Sequence, residues 1–116
     1  MSKTQIWHNP RCSKSRQTLA LLEKNGIAAE IVLYKDAAPS GDDIRAVLTA
    51  LGISALALIR QKDAAFKALN LGSDASEDEL ISAMTKHPEI IERPVVRHGE
   101  KAAIGRPPES VLSLFN

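Results

Sequence analysis

The stretch Thr4-Gln5-Ile6-Trp7-His8-Asn9-Pro10-Arg11-Cys12-Ser13-Lys14-Ser15-Arg16 decides the fold. Thr4 to His8 is short, β-branched and partly aromatic, and it stops at Asn9-Pro10, so it reads as a first strand. From Ser13 the spacing becomes helical. Leu19, Leu22 and the stem of Lys24 recur on one face, and Asn25-Gly26 supplies the stop. Glu30 to Tyr34 is a second strand, apolar at nearly every position, which predicts burial on both faces and a central place in a sheet. Strand, helix and strand within about 30 residues make a βαβ unit with a right-handed crossover.

A helical block follows. Ser40 opens a helix as N-cap, with Ile44, Val47, Leu48 and Leu51 on one face and Gly52 at its end. Ser54 opens a short helix through Leu58 and Ile59, and Ala64 to Leu69 predicts another. Ser76 with Glu79 three residues on is a capping box, and Leu80, Ile81 and Met84 face inward until His87-Pro88. Val95 to His98, Gly99-Glu100 and Lys101 to Ile104 have the form of a hairpin. Pro107-Pro108-Glu109 starts a last helix whose Val111, Leu112 and Phe115 are expected to dock on the sheet. The expectation is an α/β fold in one domain over residues 1–116, ordered β-α-β, helical insertion at about 40–88, then β-β-α.

Composition excludes several classes. The chain has 116 residues, 44% of them hydrophobic, which is too apolar for disorder and enough for one core. A net charge of +1 and 3% aromatic residues argue against a nucleic-acid partner. No apolar run reaches the length of a membrane span, and the N-terminal segment lacks a signal peptide's apolar stretch. The single cysteine, Cys12, excludes an internal disulfide framework and a zinc site of several thiolates. A free thiol without an export signal fits the cytoplasm, and the protein is expected to be a monomer.

Cys12 stands between a strand end and the first turn of a helix. A lone cysteine is most often a small buried hydrophobe. At a helix N-terminus, however, free amides and the helix dipole favour the thiolate. Arg11, Lys14 and Arg16 lie within four residues of the sulfur with no acidic residue among them, so the segment reads as a basic well. Ser13 and Ser15 have hydroxyls that can cap the helix or donate to a sulfur anion. Cys12-x-x-Ser15 cannot close a local disulfide, so a catalytic Cys12 needs an external thiol to resolve it. His8 fits the role of orienting the thiolate region better than that of a metal ligand, with a plain strand-end histidine as the alternative. Arg60, Arg93 and Arg106 stand apart from the ordinary surface charges, and two of them precede proline. Guanidinium forks suit a tetrahedral oxyanion, but spacing alone does not make these three converge.

Several separated motifs carry a family resemblance: His8-Asn9-Pro10-Arg11-Cys12-Ser13-Lys14-Ser15-Arg16-Gln17-Thr18-Leu19, then Tyr34, Leu58-Ile59-Arg60, Glu92-Arg93-Pro94-Val95-Val96 and Gly105-Arg106-Pro107-Pro108. In this order they resemble the glutaredoxin-coupled arsenate reductase (ArsC) family over about residues 4–115. The resemblance implies a thioredoxin-like fold with a mixed central sheet and a cis Arg93-Pro94 bond. By matching position, Cys12 would be the nucleophile, His8 and Ser15 would support its thiolate, and Arg60, Arg93 and Arg106 would bind the oxyanion. The implied reaction reduces arsenate to arsenite through a cysteine-arsenic adduct resolved by glutathione and glutaredoxin, with no bound cofactor or metal. Arg11-Cys12-Ser13-Lys14-Ser15 departs from the Cys-Gly-Thr-Ser of the better-studied reductases and is similar to a shorter, housekeeping branch. Two alternatives remain: a redox transcription regulator similar to Spx, against which Ser15 in place of a second cysteine speaks, and a monothiol oxidoreductase acting on glutathione mixed disulfides.

Overall fold

A computed structural model describes residues 3–71 and 74–115. The chain divides into two compact units: one is built from the segments up to Ala37 and from Arg93 onward, and the other is Ala38–Glu92.

The first unit is an α/β layer on a mixed four-stranded sheet. Its strands are β1 (Thr4–Trp7), β2 (Glu30–Val32), β3 (Val95–His98) and β4 (Lys101–Ile104), in the spatial order β2-β1-β3-β4. β1 runs parallel to β2, with Ile6 opposite Ile31, and antiparallel to β3, with Ile6 opposite Val96. β3 and β4 form the expected antiparallel hairpin, with Val96 opposite Ala103. Helix α1 (Ser13–Lys24) connects β1 to β2, as parallel strands require a crossover. A last 3-10 helix, Pro108–Phe115, packs on α1 and β4. Ile6, Leu22, Val96 and Val111 are fully buried at the centre of this unit. Each such burial is worth about 1.5–3 kcal/mol, so these four side chains hold the helices to the sheet.

Three local expectations need correction. β2 is a three-residue edge strand rather than a central one running to Tyr34, and Ile31 and Leu33 are 49% and 42% exposed. A short apolar run has no periodicity that separates a central strand from an edge one. In α1 the buried stripe is Ser15, Thr18 and Leu22, whereas Lys24 is exposed and Leu19 only partly covered. The polar members of that stripe are satisfied locally: Ser15 Oγ accepts from Asn9 N–H in the entering turn, and Thr18 Oγ1 donates to the Lys14 carbonyl (2.8 Å). The last helix has a three-residue turn, so Pro108, Val111 and Leu114 are its buried face. Val111 is buried as expected and Phe115 packs on the core and on His98 of β3 (ring centroids 4.7 Å apart), but Leu114 rather than Leu112 completes the inward face, because the period is three.

The second unit contains α2 (Gly41–Leu51), α3 (Ala55–Leu58), α4 (Ala64–Lys67), α5 (Glu77–Lys86) and a 3-10 turn at Pro88–Ile90. The Ser40 hydroxyl accepts from the Asp43 amide at the start of α2, and Gly52 ends it in the left-handed region at φ 68°. Only glycine adopts that conformation without steric cost. α5 opens on the expected capping box of Ser76 and Glu79. α4 stops at Lys67 rather than Leu69. Ile44, Val47, Leu58, Met84 and Ile90 are fully buried. Arg60 N–H donates to the Ile90 carbonyl (2.8 Å) and Glu92 N–H to the Leu58 carbonyl (2.7 Å), which joins the two segments around Ile59 and Ile91.

Candidate active site

The site grows from the turn between β1 and α1. His8 N–H extends the ladder to the Val32 carbonyl (2.8 Å), and the chain then turns at Asn9. Asn9 is buried and holds the turn in three ways. Its carbonyl accepts from Cys12 N–H (3.0 Å), its Oδ1 accepts from Arg11 N–H (3.0 Å), and its own N–H donates to Ser15 Oγ (3.0 Å). These bonds place Cys12 at the N-cap of α1, in extended conformation, with no side chain capping the helix. The partly exposed sulfur therefore faces a helix terminus whose amides are open to it.

Burial by itself pushes the Cys12 thiol up. The Ser15 amide, the Arg93 guanidinium and the Lys14 amide outweigh it and hold the thiol below its ordinary value. The basic well expected from Arg11, Lys14 and Arg16 is thus supplied differently. Those three side chains are exposed, and Arg16 donates through Nη1 to the Pro10 carbonyl (2.8 Å). The cation acting on the sulfur is Arg93, from the far end of the chain.

Arg106 is the second cation at this sulfur. Its Nε donates to the Arg93 carbonyl (2.7 Å), and its Nη2 lies 3.7 Å from Cys12 Sγ, across 94 residues of sequence. Both Arg93-Pro94 and Arg106-Pro107 are cis, the first as the resemblance implied and the second unforeseen. Gly105 brings the Arg106 loop in. Its N–H donates to the Pro94 carbonyl (2.9 Å), and a Cβ there would run into Thr18 Oγ1 and come within 2.8 Å of Pro94 Cγ. Burial opposes the charge of Arg93, but its hydrogen bonds to the Tyr34 hydroxyl and the Cys12 sulfur favour it, so it holds its proton more firmly than usual. Tyr34 is fully buried.

His8 and Ser15 pair with each other, Nδ1 to Oγ at 2.6 Å. Burial, then the charge of Arg16, hold the imidazole below its ordinary value, so it is neutral at neutral pH. Ser15 Oγ also accepts from Asn9 N–H, so one hydroxyl joins the ring to the turn. The Ser15 hydroxyl thus fastens the turn, and it is the Ser15 amide that serves the sulfur.

Of the six residues singled out from sequence, Cys12, Arg93 and Arg106 meet, and His8 and Ser15 stand behind them as a pair. Arg60 belongs to the unit Ala38–Glu92, and its Nη1 is buried without a hydrogen-bond partner among the described residues. Sequence reasoning gave no role to Asn9, Thr18 or Gly105. The only signal for Gly105 was its place before Arg106-Pro107. A thiol whose pKa is lowered, with two guanidinium groups and two amides against it, is a nucleophile with a cationic seat for an oxyanion. Among the described residues no cluster of histidine, cysteine, aspartate or glutamate could hold a metal ion, and no helix is long and apolar enough to cross a membrane.

Known proteins share this arrangement of chain. An arsenate reductase of Haemophilus influenzae is 48% identical over 112 residues, 95% of this chain and 97% of that one. An arsenate reductase of Neisseria meningitidis is 44% identical over 117 residues, 99% of this chain and all of that one. The solved structure of an arsenate reductase from Vibrio cholerae superposes with a TM-score of 0.93 at 45% identity, covering 97% of each chain. The profile of the ArsC family matches residues 7–114, the mixed sheet is thioredoxin-like, and the chain belongs to the ArsC family.

Proposed function

We propose that this protein reduces arsenate to arsenite in the cytoplasm, with glutathione and glutaredoxin supplying the electrons. The observation that carries the reading is the single thiol at the open N-terminus of α1, with Arg93 and Arg106 against it. Support also comes from the arsenate reductases that the chain resembles along nearly its full length.

In this reading the Cys12 thiolate attacks arsenic, a proton enters, and water leaves, giving a cysteine-arsenic(V) adduct. Arg93 and Arg106 bind the arsenate oxygens and offset the repulsion of anion by anion. His8 and Ser15 hold the turn that aims the sulfur. A glutathione thiol then displaces a second water from arsenic. The glutaredoxin thiolate takes the glutathionyl sulfur as a mixed disulfide, and the electron pair of the broken sulfur-arsenic bond stays on arsenic, now arsenic(III). Hydrolysis frees arsenite and returns Cys12. Two thiols lose two electrons in total, which suits a chain with one cysteine of its own.

The test is arsenate-dependent NADPH oxidation in a mixture of glutathione, glutaredoxin and glutathione reductase. Turnover is expected for the wild type and none for Cys12→Ser. A wild-type rate equal to that control overturns the proposal.

A further inference from the structure

A cleft of about 410 Å³ opens beside the Cys12 turn, within the first unit. Its walls are Asn9, Pro10 and Arg11 from the turn itself, and Leu33, Lys35 and Asp36 from the segment after β2. That segment is a closed turn, because the Leu33 carbonyl accepts from both Asp36 N–H and Ala37 N–H (2.9 Å each). It holds Lys35 and Asp36 out to solvent, and Arg11 is exposed on the opposite wall. Leu33, with Ile31 one of the two large apolar side chains exposed among the described residues, supplies a greasy patch between the charges. An apolar patch flanked by two cations and one carboxylate is a recognition pattern, and the volume suits a small molecule.

We infer that this cleft binds the small thiol donor, a flexible tripeptide-sized thiol with two carboxylates and one ammonium group, through Arg11, Lys35 and Asp36. The inference rests on the proposed function only for the need of such a donor. Charge complementarity sets the class of ligand: the two cations face two carboxylates, Asp36 faces the ammonium group, and Leu33 covers the methylene chain between them. Reach is adequate as well. Asn9 to Arg11 are at most three residues from Cys12, so no more than about 10 Å of chain separates the cleft from the sulfur. A tripeptide held at its two ends carries its thiol at the middle, against the Asn9–Arg11 turn that leads into Cys12.

S-methylglutathione, which cannot react, is the probe. Titrated into the wild-type protein, it is expected to bind saturably and to shift the amide resonances of Arg11, Leu33, Lys35 and Asp36. Lys35→Glu is expected to weaken that binding about fivefold, as loss of an exposed charge pair and its reversal predict. In the coupled assay the same variant raises the KM for glutathione by a similar factor, leaves the KM for arsenate unchanged, and reacts as wild type with 2-mercaptoethanol, which lacks both carboxylates. Shifts confined to other residues, or equal binding by Lys35→Glu, overturn the site while arsenate turnover still supports the proposed function. Binding in the cleft by a protein that turns over no arsenate keeps the site and removes the proposed function instead.

Discussion

Among the described residues five helices begin on a short polar side chain; α2, α3, α4 and α5 are closed by Ser40, Ser54, Asp63 and Ser76, and α1 alone is open. At the start of α2 the Ser40 hydroxyl takes the Asp43 amide, with Asp42 and Asp43 in the first turn. At the start of α5 the Ser76–Glu79 capping box satisfies amides in both directions, with three acidic residues in that turn. α1 begins on Cys12 with no capping side chain and no acid in its first turn. The same free amides and positive dipole end are spent on stability in the four capped helices and left for a sulfur anion in α1. A helix terminus becomes a reactive site when its cap is a weak hydrogen-bonding group that can carry negative charge itself.

Closing the open terminus is the strongest way to break this contrast. Cys12→Ser puts a normal cap on α1, so all turnover is expected to vanish while the helix gains about 0.5–2 kcal/mol from capping. That gain depends on pH. Folding lowers the Cys12 pKa, so the wild type holds its thiolate stabilisation in full above the unfolded thiol's value and loses it as pH falls through the folded one. The variant's advantage in urea unfolding is therefore largest at acidic pH and shrinks as pH rises. An advantage independent of pH would mean that the thiolate is not stabilised by the fold.

Next in size is Gly105→Ala, which forces Thr18 and Pro94 apart. Overpacking there is expected to cost about 1–3 kcal/mol, read as a lower Tm, and to move Arg106 off the sulfur. Wild-type stability and kinetics in this variant would show that the close approach does not position Arg106. The cations themselves come third. Arg93→Ala should return the Cys12 thiol toward its ordinary value, seen as an upward shift in the pH profile of alkylation by iodoacetamide. A profile unchanged in Arg93→Ala would leave the amides as the sole support of the thiolate.

The smallest effect sharpens the contrast from the other side. Ser76→Ala opens the terminus of α5 and should cost about 0.5–2 kcal/mol in denaturant unfolding, without moving the Cys12 alkylation profile. A shift in that profile would mean that the two termini are not independent.

Much of this was legible one element at a time. The caps at Ser40 and Ser76, the hairpin around Gly99 and the helix entered at Cys12 each depend on residues a few positions apart, and local patterns record such contacts directly. β2 was misplaced because Glu30 to Tyr34 has no alternation, and whether a strand lies at the edge depends on which neighbours pair with it. In the last helix Val111 and Phe115 are legible, while Leu114 faces inward in place of Leu112 because Pro108, Val111 and Leu114 follow a period of three that the same residues do not announce. The basic well illustrates the limit best. Arg11, Lys14 and Arg16 are close to Cys12 in sequence yet stand in solvent, where charges are screened. Arg93 and Arg106 are remote in sequence and adjacent in space.

The sequence by itself determined that one thiol sits at the start of a helix, that no second thiol in the chain can resolve it, and, through its motifs, the family. Those statements concern residue identity and near-neighbour spacing, which survive without coordinates. The tertiary structure alone decided which cations meet the sulfur, that Asn9 and Ser15 lock the turn, that Gly105 must lack a side chain, and that a charged cleft opens beside the turn. Each of these depends on segments brought together by burial of a shared core, a force that is proportional to area and blind to sequence distance.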